Sequence, residues 1–151
     1  MKVEQVNKHF RDKGLTLGSV ESFTGGLFAQ SITAVSGASK FYKGGYITYA
    51  TEEKINLICV PKDVIEDKGV VSKEVAYYMA NNARQLLKVD VCVSFTGNAG
   101  PDAMEGKPVG EVHIGIASKD SAQVYSLLLN GNRNEIQQQA VDFVLEKLLE
   151  I

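Results

Sequence analysis

Apolar residues recur at Val3, Val6 and Phe10, a helical spacing that predicts a first helix ending at Gly14, where a glycine suits a left-handed cap. The stretch "LTLGSVE" (15–21) alternates as a strand does. From Gly25 onward Leu27, Phe28, Ile32 and Val35 return to helical spacing, so 15–32 reads as strand, glycine turn and helix start. "GGYITYAT" predicts a second strand, with Thr51 as a cap for the helix "EEKINLI". Ser72 caps the long amphipathic helix "KEVAYYMANNARQLLK". "VDVCVSFT" is a continuous apolar run, the pattern of a strand buried on both faces. "EVHIGIAS" and "AQVYSLLL", separated by Lys119, Asp120 and Ser121, predict a hairpin. A last helix places Ile136, Ala140, Phe143, Val144 and Leu148 on one face.

The order α β α β α α β β β α, without repeats or linkers, predicts one domain over 1–151 of the α/β class. Its architecture is a three-layer α/β/α sandwich around a mixed, mainly parallel sheet. In such sheets ligands sit beyond the carboxyl ends of the parallel strands. Three loops then stand out: 22–26, 49–54 and 96–110.

Charge and composition narrow the function classes. Sixteen Lys and Arg against eighteen Asp and Glu leave a net charge of -2, and no basic run is interleaved with aromatics, which argues against nucleic acid as a partner. No apolar stretch approaches the ~20 residues that span a bilayer, so the expectation is a cytoplasmic protein with no membrane partner. Cys59 and Cys92 sit in apolar runs without CxxC spacing and read as buried free thiols. His9 and His113 lie far apart with no carboxylate at metal-ligand spacing, so neither a metal nor a cofactor is expected. A triad using His113 has no support in the local sequence.

Candidate chemistry gathers in the three loops. Ser22 lies at a strand-to-helix turn where the amides around Thr24, Gly25 and Gly26 are expected to be free donors for a phosphate or an oxyanion; alternatively Ser22 or Thr24 simply caps the helix. Lys54, in the first turn of its helix, faces the positive end of the macrodipole, which lowers a lysine's pKa, and burial lowers it further. A neutral amine is what a general base toward a serine hydroxyl requires; the alternative is a solvated lysine beside Glu52 and Glu53. Tyr49 lies near enough in sequence to share a site with Lys54. "FTGNAGPD" (95–102) is either an anion nest or a plain turn. Arg133 in "GNR" is placed to pair with a phosphate or carboxylate, or is simply solvated.

Together these segments resemble the C-terminal domain of the competence-damage protein CinA, a family that includes stand-alone nicotinamide-nucleotide amidohydrolases. The carriers, from about Leu15 to Leu148, are "ESFTGG" against ES-C-TGG, "GGYITYATEEK" against GG-x-x-TYSNEAK, "TGNAGPD" against TGIAGPD, "KPVGEVHIG" against KPVGTVxxG, and "GNR" against GDR. The resemblance implies a metal-independent serine–lysine dyad with Ser22 as nucleophile and Lys54 as general base. The implied reaction converts nicotinamide mononucleotide, a small-molecule nucleotide, to nicotinate mononucleotide and ammonia. It further implies that Tyr49 positions Lys54 or the substrate, that Arg133 stabilises the site or binds phosphate, and that Thr24, Gly25, Gly26, Thr51, Thr96, Gly97 and Gly100 contribute to the substrate pocket. A homo-oligomer is expected on the same ground. The pyrophosphatase-like activity of the longer members' N-terminal domain is not expected here. Phe23, Ala50, Thr51, Asn98, Asn132 and Gln137 depart from the family pattern; they leave the dyad intact and change its surroundings. A silent nucleotide-binding module and an amidase for another small amide remain the competing readings.

Overall fold

A computed structural model describes residues 1–151. The elements in chain order are α1 (Lys2–Lys13), β1 (Leu17–Glu21), α2 (Leu27–Thr33), a single 3-10 turn (Ala38–Lys40), β2 (Tyr42–Ile47), α3 (Thr51–Ile58), α4 (Lys62–Lys68), α5 (Lys73–Leu87), β3 (Val91–Gly97), β4 (Glu111–Ala117), β5 (Ala122–Leu128) and α6 (Arg133–Leu148). The five strands form one sheet in the order β2-β1-β3-β4-β5. β1 pairs in parallel with β2 and β3, while β3–β4 and β4–β5 are antiparallel. Four of the five strands therefore run the same way and only β4 opposes them, as a mixed sheet with one hairpin requires.

Two apolar layers hold the sheet. The larger packs α1, α2 and α6 on one face through Phe10, Phe28, Phe95, Ile114, Val144 and their neighbours. The smaller packs α5 and the α3–α4 segment on the other through Val20, Ile58, Val75, Met79 and Cys92. Small side chains let α5 lie close: a Cβ at Gly115 would stand 2.5 Å from the Ala76 carbonyl oxygen, and Ala76, Ala80 and Ala83 are all buried. Ser94 Oγ ties α5 to the sheet, donating to Ala76 O at 2.7 Å while accepting from the Gly115 amide. No helix is long and apolar enough to cross a membrane.

The caps divide into those the sequence predicted and those it did not. Gly14 closes α1 in the left-handed region (φ 66), and Ser72 Oγ accepts from the Val75 amide at the start of α5. Thr51 does not cap α3; the cap position is Ala50, in extended conformation, and Thr51 is the first helical residue. Neither Ser22 nor Thr24 caps α2. That task falls to Glu21, whose carboxylate, buried to 1% exposure, accepts from the amides of Gly26 (3.2 Å), Phe28 (2.9 Å) and Ala29 (3.1 Å). An anion there also meets the positive end of the helix. Two smaller expectations fail as well. β2 ends at Ile47 rather than running on to 51, because the Thr48 carbonyl turns to Lys54. Cys59 is exposed, at the left-handed cap of α3 (φ 58), while Cys92 is buried as expected.

Charge-assisted bonds to a buried carboxylate contribute about 1.5–3 kcal/mol each, and an amide in its place presents N–H to N–H on one side. Glu21→Gln is therefore expected to lower stability by roughly 2–4 kcal/mol, read from the urea midpoint of unfolding at an unchanged slope.

Candidate active site

The three loops singled out from the sequence converge at the carboxyl end of β1, β2 and β3. There a cavity of about 170 Å³ is lined by Ser22, Phe23, Tyr49, Thr51, Lys54, Val70, Thr96, Gly97, Asn98, Ala99, Met104 and Arg133. A larger groove of about 870 Å³ lies between α1, α2 and α6, lined among others by Met1, Val35 and Leu145. None of its polar side chains is buried. In the smaller cavity a serine hydroxyl and a buried lysine amine meet.

Ser22 follows β1 directly, and its amide continues the sheet by donating to Phe95 O. Its hydroxyl is 2.9 Å from Lys54 Nζ. Lys54, the fourth residue of α3, is 1% exposed, and its Nζ also donates to the Thr48 carbonyl at 2.6 Å. Burial is the main reason its pKa falls from 10.5 to about 8; the charges of Glu105 and Glu52 offset part of that fall. With Thr48 O fixing one N–H, a neutral Lys54 turns its lone pair toward the Ser22 hydroxyl, which then becomes the donor.

The amides after Ser22 are apportioned differently from the expectation. Gly25 N donates to Ser22 O and Gly26 N to Glu21, so neither is free. The amides of Phe23 and Thr24, which follow the hydroxyl directly, make no hydrogen bond within the protein. Thr24, Gly25 and Gly26 do not line the cavity: they shape the turn, with Gly25 and Gly26 at φ 60 and 106. Thr51, Thr96 and Gly97 line the wall, Thr96 Oγ1 donating to Val70 O.

Tyr49 and Arg133 pair with each other. Arg133 Nη2 donates to the Tyr49 hydroxyl at 2.9 Å and Nη1 to the Gly100 carbonyl, so Tyr49 does not position Lys54 and Gly100 acts from behind the wall. Tyr49 is 62% exposed, and Arg133 has no carboxylate partner, which leaves a cation at the rim. Asn132 has a separate role. It forms a capping box at the start of α6, accepting from the Glu135 amide while the Glu135 carboxylate accepts from Asn132 N. Gln137 donates to Phe23 O at 2.8 Å and thereby holds the Phe23–Thr24 peptide.

The segment between β3 and β4 closes the far wall. Glu105 accepts from the amides of Val70 (3.0 Å) and Val71 (3.1 Å), and Lys107 donates to the carbonyls of Lys68 and Val71. Partial burial pushes the Glu105 carboxyl up, but the Val71 and Val70 amides and the Lys107 ammonium outweigh it, and its pKa lies below the ordinary value. This latch sets Met104 and Val70 into the cavity wall. Neither carries a motif, and the Thr48 carbonyl is backbone, so nothing in the residue types marks them. His113 lies outside the site, between Ser126 Oγ (2.8 Å) and Glu111 (2.9 Å), and no group of three or more potential ligands could hold a metal ion.

Comparison with known proteins places this geometry. The family model for the CinA C-terminal domain matches residues 2–151. A protein of Bacillus mycoides (strain KBAB4) named as competence-damage inducible is 44% identical over 146 residues, covering 93% of this chain and 35% of its own length. One of Bacillus cereus (strain AH187) with the same name is 46% identical over 134 residues, covering 88% and 32%. The chain thus spans about a third of the length of these relatives. Among solved structures, a CinA superfamily protein from Klebsiella pneumoniae superposes with a TM-score of 0.96 at 25% identity, over 99% of this chain and 94% of that one. The competence/damage inducible protein CihA from Agrobacterium tumefaciens gives 0.95 at 29% identity, over 99% and 92%. With the family model matched along nearly its whole length, this chain belongs to the CinA C-terminal domain family.

Proposed function

We propose that this protein is a metal-independent amidohydrolase that removes the carboxamide nitrogen of nicotinamide mononucleotide, giving nicotinate mononucleotide and ammonia. The observation that carries this reading is the buried amine of Lys54, 2.9 Å from the Ser22 hydroxyl and held there by the Thr48 carbonyl. A lysine taken out of water beside a serine is an arrangement that activates a nucleophile without a metal. At pH 7 about a tenth of a lysine with a pKa near 8 is neutral, enough to serve as base.

The steps balance on these two side chains. Lys54 Nζ takes the Ser22 proton as Oγ adds to the amide carbon, and the oxygen of the tetrahedral adduct becomes an anion. The Phe23 amide, next after the nucleophile at a strand-to-helix turn, is a donor for that anion. Lys54 then protonates the departing nitrogen, the C–N bond breaks, and ammonia leaves an acyl ester on Ser22. Water adds to the ester with Lys54 again as base, the C–Oγ bond breaks, and the proton returns to Ser22.

Cavity size fits a head group rather than a whole nucleotide. Its 170 Å³ is below the roughly 300–1,000 Å³ of pockets that enclose drug-sized ligands. In this reading the pyridine carboxamide enters beside Ser22, and the ribosyl phosphate stays at the rim, where Tyr49 offers a ring and Arg133 a charge.

Ser22→Ala and Lys54→Met are each expected to cut ammonia release from nicotinamide mononucleotide by about 10³-fold or more, with the fold retained. Substrate left unhydrolysed by folded wild-type protein would overturn the proposal. For wild type, kcat/KM is expected to rise tenfold per pH unit below about 8 and to level off above, following Lys54 deprotonation. Stability tracks the same group. The folded pKa lies below the unfolded one, so the full cost of burying the charge is present below pH 8. It is relieved between about 8 and 10.5, where the unfolded chain still holds a proton that the native chain has released. Lys54→Met, free of that cost, should unfold at a higher temperature than wild type at pH 7, as calorimetry would show.

A further inference from the structure

Asn98 is 3% exposed and lines the cavity, and its Nδ2 has no hydrogen-bond partner. Which side-chain atom is which follows from its surroundings: the Gly100 amide donates to Oδ1 at 3.0 Å, so the NH2 group is the one left over. The backbone is equally fixed, with Asn98 N donating to Glu111 O at 2.9 Å and Asn98 O accepting from Gly110 N at 2.7 Å. Leaving a buried N–H unpaired costs free energy, and with the backbone held at both its polar groups and Oδ1 held by the Gly100 amide, turning away to relieve it would break a bond.

The sheet register places this donor relative to Ser22. Glu21 is the lateral partner of Phe95, so Ser22 stands beside Thr96. Asn98 stands two residues beyond Thr96, one past the end of β3, where its amide stays bonded to the β4 side through Glu111 O. Ser22 and Asn98 line the same cavity, so a carbonyl group reacting at Ser22 shares that space with the Asn98 amide. The motif this segment resembles has isoleucine, which offers no donor, at that position.

We propose that Asn98 supplies a side-chain donor to the oxyanion site, its Nδ2 hydrogen-bonding the acyl oxygen of the amide substrate as Ser22 adds to the carbon. The inference rests on the reading of Ser22 as nucleophile. It adds a catalytic residue whose contact strengthens as charge develops on that oxygen, with a preorganised dipole and no reorganisation at the moment of reaction. The free backbone amide of Phe23 provides the second donor. The ligand class follows: a planar acyl group with a free oxygen, a primary amide or an activated ester, with no acidic group at that oxygen.

Two substitutions separate this role from a structural one. Asn98→Asp keeps an oxygen for the Gly100 amide and removes the donor; Asn98→Leu removes both without adding charge. Each is expected to lower kcat for ammonia release about 100-fold while KM stays within about threefold. A second measurement needs no natural substrate: the rate at which a fluorophosphonate labels Ser22, located by peptide mass spectrometry, is expected to fall by a similar factor in both variants. Both variants are expected to remain folded at the assay temperature, as far-UV circular dichroism would show. Wild-type kcat and labelling rate in Asn98→Asp would overturn the proposal and leave the serine–lysine pair standing. If wild type is labelled but releases no ammonia from nicotinamide mononucleotide, the substrate reading fails while the labelling rates still decide the role of Asn98. If wild type is not labelled at Ser22, both fall together.

Discussion

The site depends on one buried carboxylate. Glu21 ends β1 and spends both oxygens on three amides at the start of α2, so the chain must turn sharply straight after it. Ser22 stands at that turn, and two consequences follow from the same bonds. The Gly26, Phe28 and Ala29 amides, which would otherwise attract an anion, are already satisfied. The Phe23 and Thr24 amides are left over beside the hydroxyl. Gln137 fixes the Phe23–Thr24 peptide from α6, so the turn that carries Ser22 is held from two helices of one layer, α2 and α6.

The opposite layer carries Lys54. α3 enters close to the end of β2, and Thr48 is shared between sheet and site: its amide bonds Glu21 O, and its carbonyl holds Lys54. The burial that depresses the lysine pKa is completed by the β3–β4 segment, latched through Glu105 and Lys107 onto the stretch just before α5. Basicity at Lys54 is thus a property of closure around it: the wall dries the amine, while Glu105 and Glu52 keep its pKa from falling further. Protein stability is given up at this point, because a buried ammonium is costly and no carboxylate within salt-bridge distance relieves it.

Periodicity made the architecture legible because each core helix and strand buries an apolar face of regular spacing. Where there is no such face the reading failed. α4 has no buried residue at all, so its sequence gave no periodic signal. "GGYITYAT" looks like strand to its end, yet its last residues leave the sheet to serve Lys54 and Arg133. Ser22 and Lys54 are 32 residues apart, and no spacing rule joins them; the resemblance to the CinA family put them together, and the fold sets them 2.9 Å apart. Thr48, Val70 and Met104 were invisible because they contribute a carbonyl or a patch of wall. Asn98 and Gln137 were noted only as departures from a motif, and their meaning depends on which partners they find in three dimensions.

The central claim is that Ser22 becomes covalently acylated. The most direct measurement is a single-turnover reaction of excess protein with nicotinamide mononucleotide, quenched in acid at intervals and analysed by peptide mass spectrometry. The account predicts a transient adduct on the peptide containing Ser22, with the mass of a nicotinate mononucleotide acyl group, rising with ammonia and decaying into the acid. Ammonia release with that peptide unmodified at every interval would contradict it, because water would then be attacking the amide without the serine.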